Sequence, residues 1–255
     1  MNEFNIDDYL GSLPEDILII NVANKGLTYL PDLSRFTKLR RLYCQANKLT
    51  SLPKLNESLA ILNCSQNLLT SLPELNKNIC SLLCHHNYIV QLPKLNEELM
   101  ELNCSNNKLT SLPKLNEKLV KLNCSNNKLT SLPKLNTNIF LLCCGYNELI
   151  SLPEINDKML QFRCEENLIS DVLHIKNEWL CIAGLYREIG IIRQKVKIHN
   201  RFRLLFYTLK YKKYFRDWLW RIRESKIKER YSPNNLLKLL EDNNEEDLDT
   251  LLDKW

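Results

Sequence analysis

Residues Leu99–Lys118 read LMELNCSNNKLTSLPKLNEK, and residues 119–138 repeat them almost letter for letter as LVKLNCSNNKLTSLPKLNTN. The same step continues in both directions. Cys44, Cys64, Cys84, Cys104, Cys124, Cys144 and Cys164 stand 20 residues apart, as do Asn47, Asn67, Asn87, Asn107, Asn127, Asn147 and Asn167. Pro53, Pro73, Pro93, Pro113, Pro133 and Pro153 keep the same period. A first copy begins near Ile17, runs two residues longer and carries Lys25 in place of the recurring Asn. A last copy begins at Met159, extends to about Glu178 and has Leu173 in place of Pro, which makes eight copies. Such a period announces an array in which each unit hides its apolar face against the next.

The period also assigns a job to each position. Leu102 and Cys104 are two apart, so in an extended segment both side chains point to one side. A chain that returns to this segment every 20 residues has to coil. Stacked coils then set their strands side by side at about 4.8 Å in a parallel sheet. Leu112 and Leu115 fill the core from the opposite wall, where Pro113 fixes φ and favours an extended return with little room for a helix. Asn107 carries two donors and an acceptor on one amide. A column of such residues is expected to be buried where the strands bend away, pairing backbone groups that would otherwise stay unsatisfied.

The pattern LxxLxCxxNxL followed by xxLPxL resembles the leucine-rich repeat, in the short 20-residue class with an internal Leu-Pro found in bacterial effector proteins. The resemblance covers about residues 17–178. It implies an α/β repeat solenoid, a horseshoe with a parallel concave β-sheet and a largely non-helical convex side, and a function in binding proteins. The departure is Cys at the third apolar position, where a small apolar thiol keeps the core role. The expected organisation is an N-terminal cap over 1–16, the solenoid over 17–184 and a helical C-terminal unit over 185–255.

Seven thiols in register raise the question of metal or redox chemistry. Metal ligands converge on one point, whereas these cysteines form a line along the solenoid axis, so no metal and no cofactor is expected. Cys143 and Cys144 are adjacent and point to opposite sides of a strand; Cys181 has no recognisable base or motif beside it. Some relatives of the 20-residue class carry a ubiquitin-ligase domain, but that domain is much longer than the roughly 70 residues after the repeats, and no enzyme activity is expected. Core thiols at near-disulfide spacing, together with sequons at Asn63, Asn103 and Asn123, argue for an intracellular, reducing compartment. Neither a secretory leader at Met1–Phe4 nor a transmembrane segment is expected.

Comparing the copies with one another locates the face that varies. Arg41, Tyr43, Ile61, Leu83, His85, His86, Leu141, Tyr146, Arg163 and Glu165 flank the strand cores on the outward side. Apolar and aromatic groups there have no core to fill, and such groups amid polar ones mark an interaction surface. A protein partner on the concave face is therefore the leading expectation. His85 and His86 are read as polar surface contacts.

After about residue 184 the period fails. Residues 185–231 hold 15 Lys and Arg against 4 Asp and Glu, and residues 232–255 hold 2 Lys against 7 acids, whereas the whole chain is only +5. Phe202, Leu205, Phe206 and Leu209 fall at helical spacing, as do Phe215, Trp218, Leu219 and Ile222. The alternative reading is nucleic-acid or acidic-membrane binding through 195–230, with Lys210, Lys212, Lys213, Arg216, Arg221 and Arg223 as its basic patch. The stretch WLWRIRESKIKERYSPNNLLKLL, Trp218–Leu240, resembles C-terminal segments of proteins from giant DNA viruses of the mimivirus group. That resemblance implies expression in a host cell and assigns no activity. The 44% hydrophobic content excludes wholesale disorder, and five glycines are unpromising for phosphate-cradling loops.

Overall fold

Each copy of the repeat contributes one three-residue strand. These are β1 Ile19–Asn21, β2 Arg41–Tyr43, β3 Ile61–Asn63, β4 Ser81–Leu83, β5 Glu101–Asn103, β6 Lys121–Asn123, β7 Leu141–Cys143 and β8 Gln161–Arg163. They pair in parallel, in chain order, as one eight-stranded sheet. The structure is a computed structural model that describes residues 4–169, 194–201 and 212. The chain divides into two compact units, Met1–Asn200 and Arg201–Trp255. In the second, the described residues are Arg201 and Lys212, so the expected helices around Phe202–Leu209 and Phe215–Ile222 lie outside the described residues.

Register follows the repeat. Leu102 faces Leu122 across β5 and β6, a step of 20 residues, while Ile20 faces Leu42 across β1 and β2, a step of 22 that absorbs the longer first copy. The middle residue of every strand points inward: Ile20, Leu42, Leu62, Leu82, Leu102, Leu122, Leu142 and Phe162 are all buried. The ladder cysteine follows one residue past the strand, also buried. Leu55, Leu95, Leu115, Leu135 and Ile155 close the core from the return segments, which run through bends and turns without a helix from 44 to 160. At about 25 cal/mol per Å², each such buried leucine contributes about 2 kcal/mol, and stacking is what removes its area from water.

Two asparagine ladders hold the edges of the coils. In the first, Asn87 donates from Nδ2 to the carbonyls of Cys64 (3.1 Å) and Cys84 (3.0 Å), while its Oδ1 accepts from the Leu69 N–H (3.0 Å). Each amide thus joins its own coil to the preceding one. At the N-terminal end Asn47 reaches back to the first copy, where Oδ1 accepts from the N–H groups of Lys25 and Leu27 (both 3.0 Å). Lys25 needs no amide there because its own coil has no earlier one to join. The second ladder, Asn56, Asn76, Asn96, Asn116, Asn136 and Asn156, lies across the return segments. Asn136 donates to the carbonyls of Asn116 (2.6 Å) and Leu119 (2.9 Å), and its Oδ1 accepts from the N–H groups of Asn138 (2.7 Å) and Ile139 (3.0 Å).

A third column is conformational. The residue before each ladder position has positive φ in every coil: Asn24, Ala46, Gln66, His86, Asn106, Asn126, Tyr146 and Glu166, at 50–55°. This left-handed turn is what swings the chain out of the sheet. Asn tolerates it and other side chains do so at a cost of about 1–2 kcal/mol. Gln66→Asn is accordingly expected to stabilise the protein by about 0.5–1 kcal/mol, read as a raised denaturation midpoint. A lowered midpoint would contradict the strain.

The N-terminal end is covered by α1, Ile6–Gly11, whose Ile6 and Leu10 enter the core. Asn5 caps it by accepting from the Asp7 (3.0 Å) and Asp8 (3.3 Å) N–H groups, and the Arg35 guanidinium donates to the carbonyls of Leu10 and Leu13 at its other end. Residues 194–200 are helical; Val196 is buried in the core and Asn200 donates to the Leu152 carbonyl (2.8 Å).

Candidate functional site

Strand pleating sends the first and third residues of each strand away from the core, onto an open face of the sheet. Four columns cross this face along the solenoid, the first strand positions giving Arg41, Ile61, Ser81, Glu101, Lys121, Leu141 and Gln161. The third strand positions give Tyr43, Asn63, Leu83, Asn103, Asn123, Cys143 and Arg163. Two residues on come Gln45, Ser65, His85, Ser105, Ser125, Gly145 and Glu165, and then the left-handed residues.

Of the residues expected on this face, Arg41, His86 and Tyr146 are exposed, with Tyr146 at 47%. Tyr43, Ile61, Leu83, His85, Leu141 and Arg163 are half-buried. Glu165 differs: it is only 5% exposed, ion-paired with Arg163, and its carboxyl fills the space over Gly145, where an added Cβ would lie 2.7 Å from Cδ. The missing side chain one coil earlier is what admits it.

Lys121 and Glu101 of the face are also matched to each other. Lys121 Nζ lies 3.7 Å from Glu101 Oε1, and Ser81 Oγ donates to Glu101 Oε2 (3.2 Å). Asn63 and Asn103 use their Oδ1 to accept from the N–H (3.2 Å) and hydroxyl (2.8 Å) of Ser65 and Ser105; Asn123 Oδ1 accepts from the Ser125 N–H (3.2 Å). Among the described residues none receives a hydrogen bond from the three Nδ2 groups. His85 and His86 stand with ring centroids 5.5 Å apart, and partial burial with the neighbouring imidazole moves the His85 pKa down. Beside the face, Tyr88 is 46% exposed with Lys108 Nζ 4.8 Å from its ring centre, a contact the sequence reading did not single out.

The ladder thiols are chemically quiet. Burial pushes Cys44 and Cys104 up to about 12, and raises Cys64, Cys84, Cys124 and Cys144 well above the ordinary thiol value. Among the described residues no group of three or more His, Cys, Asp or Glu is placed to hold a metal ion, and no helix is long and apolar enough to cross a membrane. Of the basic patch, Lys212 is helical and exposed, while Lys210, Lys213, Arg216, Arg221 and Arg223 lie outside the described residues, as does Cys181.

No protein-family model matches the chain, and neither does any curated protein. Among solved structures it is similar to YopM from Yersinia enterocolitica WA-314, at 29% identity over 62% of this chain and 39% of that one, with a TM-score of 0.53. A Shigella effector leucine-rich repeat domain matches at 28% identity over 64% of this chain and 74% of that one, TM-score 0.54. InlJ from Listeria monocytogenes, whose functional domain includes a cysteine ladder, matches at 33% identity over 60% and 35%, TM-score 0.52. The match therefore spans well under half of the YopM and InlJ chains. Eight parallel strands in 20-residue steps, a leucine and cysteine core, and these neighbours agree on one architecture: the chain has the leucine-rich repeat solenoid fold.

Proposed function

We propose that the protein is a non-enzymatic interaction scaffold whose open face binds a protein partner. The observation that carries this reading is the contrast between two sides of one sheet. The inward columns are Leu and Cys in coil after coil, while the outward columns change from coil to coil and keep Tyr43, Leu83 and Tyr146 partly or largely in water. Exposed aromatic and apolar groups set among polar ones are typical anchors of protein interfaces. The similar structures support the reading by their class, since one of them is the leucine-rich repeat domain of a Shigella effector.

The proposed setting is a reducing, intracellular compartment, where a column of seven free thiols stays free. If the chain is viral, as the resemblance of 218–240 to giant-virus proteins implies, that compartment is the host-cell cytoplasm. Capture of partners from host-cell extract by the full chain, compared with a variant carrying Tyr43→Glu, Leu83→Glu and Tyr146→Glu, tests the face. The expected result is at least a tenfold loss of specific capture with an unchanged melting temperature; undiminished capture of every partner would remove this face from the account.

A further inference from the structure

Coils five and six are nearly identical and polar, and the coils on either side of them are not. In coil four the open face carries Leu83, His85 and His86; in coil seven it carries Cys143 and Tyr146. Asn103 and Asn123 lie between Leu83 and Cys143 in one column, and Asn106 and Asn126 lie between His86 and Tyr146 in the next. The left-handed geometry is demanded in all eight coils, and Asn, which suits it, fills three of them. His86 and Tyr146 occupy it at a conformational cost, and both are exposed. The apolar groups that reach water at the two ends are Leu83 and Tyr146. Three strand spacings of about 4.8 Å separate their coils by roughly 14 Å along the solenoid axis, with Tyr146 one turn to the side of the Leu83 column.

The floor between them has a definite hydrogen-bonding character. Asn103 and Asn123 spend their oxygens on the turns that follow them, so each offers an NH2 group alone. Glu101 and Lys121 offset one another, which leaves this floor without net charge. These two amide donors, on a floor without net charge, are complemented by acceptors without net charge. An extended peptide supplies those as backbone carbonyls, whereas a helix has already paired its own.

Resting on the reading of the open face given above, we infer that its partner contributes an extended, net-uncharged peptide segment, laid along the solenoid axis over coils four to seven with two apolar or aromatic side chains four residues apart. Four residues of extended chain span about 13 Å and return the side chains to the same side, which matches the axial separation of coils four and seven. The carbonyls of the residues between receive the Asn103 and Asn123 amides.

The test is selection of a displayed library of random linear 12-residue peptides on the full chain, at 0.15 M and again at 0.5 M NaCl. Enriched sequences are expected to share an apolar or aromatic pair at i and i+4, to carry a net charge between −1 and +1, and to bind within about threefold at the two salt concentrations, because no phosphate-like or carboxylate charge is being neutralised. Tyr146→Ala and the double variant Asn103→Asp with Asn123→Asp should each weaken these peptides at least tenfold. The Asp substitutions keep the oxygen that holds each turn and replace each donor NH2 with an anionic acceptor that repels a peptide carbonyl, and the melting temperature serves as the control for folding. Strongly charged or salt-sensitive winners, winners without the i, i+4 pair, or indifference to the Asp variants would overturn the inference. Failure to enrich any linear peptide would overturn it as well. If folded partners still required Tyr43, Leu83 and Tyr146 in any of those cases, the interaction face would stand and the extended segment would fall.

Discussion

Replacing Asn87 by leucine is expected to lower the stability of the solenoid by about 3 kcal/mol, seen as a shift of the denaturant midpoint at unchanged slope. The side chain is 6% exposed, and its amide meets the carbonyls of Cys64, Cys84 and His85 and the N–H of Leu69. Leucine is similar in volume, so packing area is retained while the Leu69 N–H loses its partner where water reaches poorly. The carbonyls of Cys64, Cys84 and His85 each drop to one remaining donor, from Asn67, Asn107 and the Gln66 N–H. An unpaired buried N–H costs about 1–3 kcal/mol, and the three carbonyls that each lose one of two bonds bring the loss to the top of that range. The bonds bridge neighbouring coils, so the loss also weakens the coupling that makes an array unfold as one body. Asn76, from the second ladder, bonds the carbonyls of Asn56 and Leu59 and the N–H groups of Asn78 and Ile79, and its replacement by leucine should behave alike. A Tm within one or two degrees of the parent for Asn87→Leu would contradict the buried ladder.

The second large effect is a loss of stability in alkali. In the unfolded chain the thiols ionise near their ordinary value of 9.0, while burial holds Cys44 and Cys104 at about 12 and raises Cys64, Cys84, Cys124 and Cys144 well above 9.0. Above pH 9 the unfolded chain therefore gives up thiol protons that the native state keeps. It binds fewer protons, so stability falls as pH rises. The window runs from the unfolded value to the folded one, and within it each thiol withdraws about 1.4 kcal/mol per pH unit. Between pH 8 and pH 10.5 the expected loss is about 2 kcal/mol per ladder thiol, enough for the column to unfold an ordinary domain. Denaturant titrations at the two pH values measure it. Cys104→Ala with Cys124→Ala should flatten the slope, which separates the thiols from lysine and tyrosine titration. A parent profile no steeper than that of the double variant would contradict the buried column.

Much of the fold could be read directly because the period constrains every coil at once. Leu102 and Cys104, two apart, gave the strand and its inward face, and the recurring Asn107 position gave the first ladder. Asn56, Asn76, Asn96, Asn116, Asn136 and Asn156 keep the same 20-residue step, yet an Asn after Leu-Pro-x-Leu in a return segment looks like an ordinary polar turn residue. Its partners sit in the preceding coil, so only stacking reveals the second ladder. The left-handed column left a fainter signal, Asn at 24, 106 and 126, which the other five coils hide by using unrelated side chains. The open face was legible as a set of columns, but not the fate of each member. Glu165 is withdrawn into the face because Gly145, twenty residues earlier, leaves room, and Arg163 is drawn to it. That depends on a neighbour across the sheet, which a single repeat does not show. Helix α1 has too short an apolar pattern, Ile6 and Leu10, to stand out from a loop.

Mapping thiol reactivity residue by residue tests the coiled, thiol-lined core most directly. The full chain, reduced and native at pH 8, is exposed to iodoacetamide, and each cysteine-bearing peptide is followed by mass spectrometry. Cys80 is half-buried in a return segment and should label within minutes, while Cys44, Cys64, Cys84, Cys104, Cys124, Cys144 and Cys164 remain unmodified until denaturant is added. For Cys104 the rise from 9.0 to about 12 alone lowers the thiolate fraction by about a thousandfold, before the exclusion of reagent is counted. Labelling of Cys84, Cys104 and Cys124 at the rate of Cys80 would place them on the outside and contradict the solenoid as described.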